Sequence, residues 1–150
     1  MNKKKRYQRI YEQLRELLQK TVDTDARMAT VSAVLHHKLG MVLWTGFYSL
    51  KQGELLVKTY QGPLACQTLK KNTGVCWTAV NRKKTIVVPD VHQFEGHIAC
   101  DPRAQSEIVV PVHDKNNTII GVLDIDSKVR NRFDETDAAE LEKIIGLLFI

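Results

Sequence analysis

An α+β fold, with helices packed on an antiparallel sheet, is what this 150-residue sequence predicts. Three observations point to it. Apolar residues recur at helical spacing at both ends of the chain. Between them the pattern changes to a period of two, and the strand-like runs are joined by short polar turns rather than by crossover helices. With 43% hydrophobic and 26% charged residues the composition is that of a globular chain. No internal repeat or linker divides it, so residues 1–150 read as a single domain.

Residues 1–21 form the first element, an amphipathic helix with a basic start, whose apolar stripe is Tyr7, Ile10, Tyr11, Leu14, Leu17 and Leu18. Asp23 or Thr24 caps a second helix with the stripe Ala26, Met28, Val31, Val34 and Leu35, and Gly40 closes it. Residues 41–50 and 54–61 alternate as strands around the turn Lys51-Gln52-Gly53, and Gly62-Pro63 ends the second. A connecting segment leads to a short helix over 75–82 and a β-branched strand over 85–88. Residues 91–105 form a loop longer than a compact domain usually keeps without a use for it. The runs 107–113 and 118–126 form a hairpin. A last helix starts at Asp134, with Asp137 three residues on at the capping-box position, and buries Ala138, Leu141, Ile144, Ile145 and Leu148.

Charge and apolar runs exclude several function classes. Residues 1–20 carry seven Lys/Arg and two Asp/Glu, whereas residues 21–150 carry fifteen of each, so the body is neutral. The basic start reads as a solvated end, and no nucleic-acid partner is expected. The longest apolar run, residues 144–150, is far short of a membrane span, and no secretory pattern follows the basic start. A cytoplasmic location with reduced thiols is the expectation for the three cysteines. Their spacing does not form a zinc knuckle.

Three clusters carry the chemistry. On the hairpin, Asp124 and Asp126 share one face. A two-residue turn at Asn116-Asn117 sets Glu107 opposite Asp126, and a four-residue loop sets it opposite Asp124. Either register crowds three carboxylates together, at a cost of up to ~1 kcal/mol for a directly opposed pair. A proton, a metal ion or a bound cation would relieve it; so would solvation, or Lys and Arg from elsewhere. On the first strand, Trp44 and Tyr48 flank Gly46 on one face, as core or as a pocket wall. The cysteines are the third cluster. Cys76 starts a helix, where backbone N–H groups favour a thiolate, while Cys66 and Cys100 lie in connections. His92 and His97, near Cys100, are ordinary loop histidines, bases or ligands. A metal site built from Cys100, His97 and the carboxylates is a further alternative.

The segments Gly62-Pro63-Leu64-Ala65-Cys66, Gly74-Val75-Cys76, Gly96-His97-Ile98-Ala99-Cys100-Asp101, Ser106-Glu107-Ile108-Val109-Val110-Pro111 and Gly121-Val122-Leu123-Asp124-Ile125-Asp126-Ser127 together resemble the free methionine-R-sulfoxide reductases, a family of GAF-domain enzymes. The resemblance departs at Trp77, where a small residue is usual, and at Glu95, where proline is. It implies a GAF-like sheet, no bound cofactor, and a homodimer. It also implies reduction of free L-methionine-(R)-sulfoxide by cysteine chemistry, with thioredoxin as the external reductant. Glu107 and Asp126 would hold the substrate ammonium, with Asp124 in support. Trp44 and Tyr48 would enclose the methyl end. Cys100 would attack the sulfoxide sulfur and Cys66 resolve the sulfenic acid, and Cys76 is the alternative nucleophile. The competing class is a GAF module that binds a small ligand without catalysis.

Overall fold

The alternating run that follows the second helix seeds a six-stranded sheet. A computed structural model describes residues 1–98 and 100–150. Ala99, part of one matched loop segment, lies outside the described residues. Helices α1 (Lys3–Leu18) and α2 (Thr24–Lys38) precede strands β1 (Trp44–Lys51), β2 (Glu54–Gln61) and β3 (Thr68–Leu69). Helix α3 (Gly74–Arg82), strands β4 (Ile86–Val88), β5 (Ser106–His113) and β6 (Ile119–Ser127), and helix α4 (Glu135–Gly146) follow. The strand order is β3-β2-β1-β6-β5-β4, and every neighbouring pair is antiparallel. The α+β sheet flanked by helices is therefore as expected.

The two sheet faces bury different things. Phe47, Ile108, Val110, Leu123 and Ile125 point towards α1, α2 and α4 and form the larger core with Tyr7, Leu14, Leu35, Leu141 and Ile144. The residues between them, among them Trp44, Tyr48, Val109 and Val122, pack with Val75, Cys76, Trp77 and Ala79 of α3. The functional cluster lies on this second face, under one short helix and two loops.

Local chemistry explains the elements and their departures from expectation. Asp23 accepts the Ala26 N–H at 2.8 Å, and the Asp134/Asp137 capping box is complete. Residues 52 and 53, at φ 52° and 77°, make a two-residue turn between the paired Lys51 and Glu54. The first strand begins at Trp44 rather than residue 41, because Gly40 and Met41 at φ 77° and 55° are left-handed and cannot extend it. β3 has two residues, too few for a period to register. In α2 the buried stripe includes Arg27 and Ser32, while Ala26 is exposed and Val34 half-buried. Arg27 tolerates burial because its guanidinium donates to the carbonyls of Leu18, Thr21, Leu148 and Ile150 at 2.8–3.0 Å.

The hairpin register is a further departure. Glu107 does face Asp126, but not through a two-residue turn. The Asp114 N–H donates to the Thr118 carbonyl at 2.9 Å, which leaves a three-residue loop with Asn117 at φ 61°. Val112 then pairs with Gly121 and His113 with Ile119, so Ile120 is an extra residue on β6. Loop and bulge together restore the register that puts the carboxyls side by side.

Candidate active site

Strand pairing assembles the site row by row. Trp44 on β1 pairs with Asp126 on β6, Asp126 with Glu107 on β5, and Glu107 with Val88 on β4. In the next row Gly46 pairs with Asp124, and Asp124 with Val109. Since one face of a strand carries every second residue, the two aromatics and three carboxyls come onto one surface by register alone. Gly46 is needed there. A Cβ at that position would lie 2.6 Å from the Trp44 ring and 2.4 Å from the Tyr60 Cβ. The indole fills the space over the glycine, stacked between Tyr48 and Tyr60 with ring centroids at 5.8 and 5.2 Å. Trp44 and Tyr48 are therefore both core and pocket wall.

Two of the carboxyls are buried, Glu107 and Asp124 at 5% and 6% exposed, and Asp126 is half-buried. Neither Lys nor Arg is among the described residues lining the pocket, so solvation and neutralisation by basic side chains both fall away as explanations. Burial and the Asp126 charge push the Glu107 carboxyl up to about 8. Burial, with a neighbouring carboxyl in each case, drives Asp124 and Asp126 well above the usual carboxylate range. Asp124 Oδ1 has no hydrogen-bond partner. His97 reaches in from the long loop, its Nε2 3.4 Å from Glu107 Oε1, and burial holds its imidazole below the ordinary value.

The three cysteines part company. Cys66 and Cys100, 34 residues apart in sequence, form a disulfide with Cα atoms 5.5 Å apart. It ties the loop after β2 to the loop before β5, and both cysteines lie close by the pocket wall: Cys100 lines it, and the Tyr48 hydroxyl donates to the Cys66 carbonyl at 3.0 Å. Cys76 is a free, buried thiol on the first turn of α3. The helix start does not make it a thiolate. Burial and the carboxyls of Asp124, Glu107 and Asp126 raise it well above the usual thiol value. The metal alternative loses Cys100 to the disulfide. The set that does converge is Cys76, Glu107 and Asp124, with one ligand-capable atom of each within 4.8 Å of the others.

The pocket these side chains line has a volume of about 40 Å³. Besides the expected residues its lining includes Leu64, Ala65, Leu69, Thr73, Val75 and Ile98. Sequence reading misses these because they lie in loops and at element ends, where no periodicity assigns a face. Their one signal is position, since Leu64 and Ile98 each stand two residues before a cysteine.

A GAF domain model matches residues 9–148. The free methionine-R-sulfoxide reductase of Escherichia coli is 40% identical over 148 residues, covering 99% of this chain and 89% of that protein. The chain belongs to the GAF-domain family of free methionine-R-sulfoxide reductases. GAF domain-containing protein A of Dictyostelium discoideum is 42% identical over 148 residues, covering 98% of this chain and 92% of its own. The structure of the free methionine-R-sulfoxide reductase from Neisseria meningitidis, in complex with its substrate, superposes with a TM-score of 0.94 at 37% identity. It covers 99% of this chain and 89% of its own. This GAF domain thus keeps its family's architecture along nearly its whole length, and Trp77 is accommodated within it. The indole N–H donates to the Leu69 carbonyl at 3.3 Å and holds β3 against α3.

Proposed function

We propose that this protein reduces free methionine-R-sulfoxide to methionine. The observation that carries the reading is a disulfide-forming cysteine pair beside a pocket that Glu107, Asp124 and Asp126 line together. The named activity of the relatives supports it. Attack on the sulfoxide needs a free Cys100 thiol, so the reduced form is the one that reacts.

A free amino acid brings an ammonium, which supplies the missing counter-charge to Asp124 and Asp126. A peptide-bound methionine brings none. Trp44 and Tyr48 enclose the methyl end. Glu107, neutral near pH 7, shares this binding face and donates its proton to the sulfoxide oxygen, because oxide leaves poorly without one. The Cys100 thiolate attacks the sulfoxide sulfur. The protonated oxygen leaves the substrate sulfur and bonds to the Cys100 sulfur as the transient sulfur–sulfur bond breaks with its electron pair on methionine, which leaves Cys100 as a sulfenic acid. The Cys66 thiol condenses with it to the disulfide and releases water. An external dithiol of the thioredoxin type then restores both thiols, without a bound cofactor. Cys76 stays a protonated thiol beneath the carboxyls. The working form is a homodimer in the cytoplasm.

A ligand-binding sensor would need the acidic floor but not the cysteine pair. An assay coupled to thioredoxin, run against the free R and S sulfoxides and a peptide-bound sulfoxide, tests the reading. Turnover of the free R form alone is expected. Equal turnover of the peptide-bound form, or none of the free R form, contradicts it.

A further inference from the structure

The reaction leaves a proton to be moved twice. Cys100 must lose one before it attacks, and Glu107 must regain the one it gives to the sulfoxide oxygen. The groups around Glu107 are Asp126 across the strand pair, Asp124 on the same strand as Asp126, Cys76 on α3 and His97 on the loop. Burial and their mutual proximity raise the proton affinity of the first three, so none of them is a ready acceptor for a thiol proton. His97 is the one base among them. It lies three residues before Cys100 on the same loop, and both line the pocket.

The loop is built to hold that imidazole in place. Gly96, at φ 76°, adopts the left-handed turn that precedes it. The His97 N–H donates to the Phe94 carbonyl at 3.2 Å. Ile98 packs so closely on Gly74 that a Cβ there would lie 3.3 Å away. The His97 side chain is 13% exposed and that of Glu107 7%, so their contact is largely shielded from solvent.

We propose that His97 is a positioning residue for the reductase reaction, a relay that takes the proton Cys100 loses and returns it to Glu107. The inference rests on the reductase reading above. In sequence, Cys100 passes its thiol proton to His97 and becomes a thiolate. Attack forms a bond between the Cys100 sulfur and the substrate sulfur while Glu107 protonates the oxygen, which leaves as hydroxide; the hydroxide then bonds to the Cys100 sulfur as the sulfur–sulfur bond breaks with its electron pair on methionine, leaving a Glu107 carboxylate beside an imidazolium. The 3.4 Å contact returns the proton from His97 to Glu107. The products are methionine and the Cys100 sulfenic acid, with no net proton taken up. Burial keeps the imidazole neutral near pH 7 and ready to accept, against the opposing pull of the Asp124 charge. The other titratable groups facing this pocket are Glu107, Asp124, Asp126, Cys76, Tyr48 and Asp101.

The test uses pre-reduced full-length protein mixed with free methionine-R-sulfoxide, and follows methionine release in a single turnover as a function of pH. Wild type should lose rate at low pH, where His97 is already protonated. His97→Gln should be slower by about 100-fold, the usual contribution of a positioned acid–base group. Its low-pH limb should also move up in pH, towards the ordinary thiol range, with substrate affinity changed less than about 3-fold. His97→Ala should recover at least about 10-fold of its rate on addition of imidazole, which a merely structural role would not allow. A His97→Gln protein as fast as wild type across pH overturns the relay while leaving the reductase reading intact. So does a slow one whose low-pH limb stays where the wild type's is, or a His97→Ala protein that imidazole does not restore. A wild-type protein that releases no methionine overturns the reductase reading, and the relay with it.

Discussion

Glu107 shows what register does to one side chain. Buried opposite Asp126, its carboxyl titrates near 8 instead of its ordinary 4.5. A raised carboxyl keeps its proton in the folded state while the unfolded chain has already released it. The unfolded state thus binds fewer protons from about pH 4.5 to about 8, and stability must fall as pH rises through that window. Urea unfolding of the reduced protein at pH 5 and pH 8 should show this loss. Glu107→Gln should make the slope shallower, with Asp124 and Asp126 supplying what remains. As a proton donor Glu107 also predicts turnover that declines above about pH 8, and Glu107→Gln should slow turnover and remove that decline. At Gly46 the expectation is steric. Gly46→Ala must displace the Trp44 ring, because the added Cβ meets it at 2.6 Å. Overpacking of this kind costs about 1–3 kcal/mol. The substrate KM should rise more than kcat falls, which steady-state kinetics on the variant will show.

Among the elements, α1 is held by one buried carboxylate. Asp137, fully buried, accepts from the Tyr7 hydroxyl and the Lys3 ammonium at 2.6 Å each, and from the Asp134 N–H at 2.8 Å, with Arg132 at 3.6 Å. It is both the capping-box residue of α4 and the anchor for α1. Asp137→Ala removes the acceptor that the Tyr7 hydroxyl, Lys3 and Arg132 share, and should cost about 3 kcal/mol. A denaturation midpoint unchanged from wild type would show that the anchor carries little. The capping role was legible from Asp134 and Asp137 in sequence, because a cap is a local pattern of fixed spacing. The anchoring role was not, because Tyr7 and Asp137 are 130 residues apart. The same contrast runs through the rest of the chain. Helix stripes, strand alternation and the crowding of Glu107, Asp124 and Asp126 could be read from period alone. The start of β1, the bulge at Ile120 and the burial of Arg27 depend on left-handed backbone or on distant carbonyls, which leave no periodic trace. For the cysteines, spacing gave no partner, and helix position favoured a thiolate at Cys76 that burial and the carboxyls forbid.

The whole molecule divides its work between the two faces of one sheet. Three helices close the first face into a core, while the second keeps one helix and two loops that the Cys66–Cys100 bond clamps together. Opening that bond frees two surface loops without touching the main core. Hydrogen exchange over residues 62–67 and 94–98 should accelerate on reduction, while β5 and β6 should remain protected. Equal exchange in the two redox forms would show that the loops do not open. The most direct measurement counts thiols in denaturant, before and after the reduced protein meets free methionine-R-sulfoxide, and maps the bond that forms. Of the three thiols, two should disappear into a Cys66–Cys100 disulfide, with Cys76 still free and methionine released. Three thiols persisting in the presence of the sulfoxide, or a new bond that includes Cys76, would contradict the assignment of this pocket.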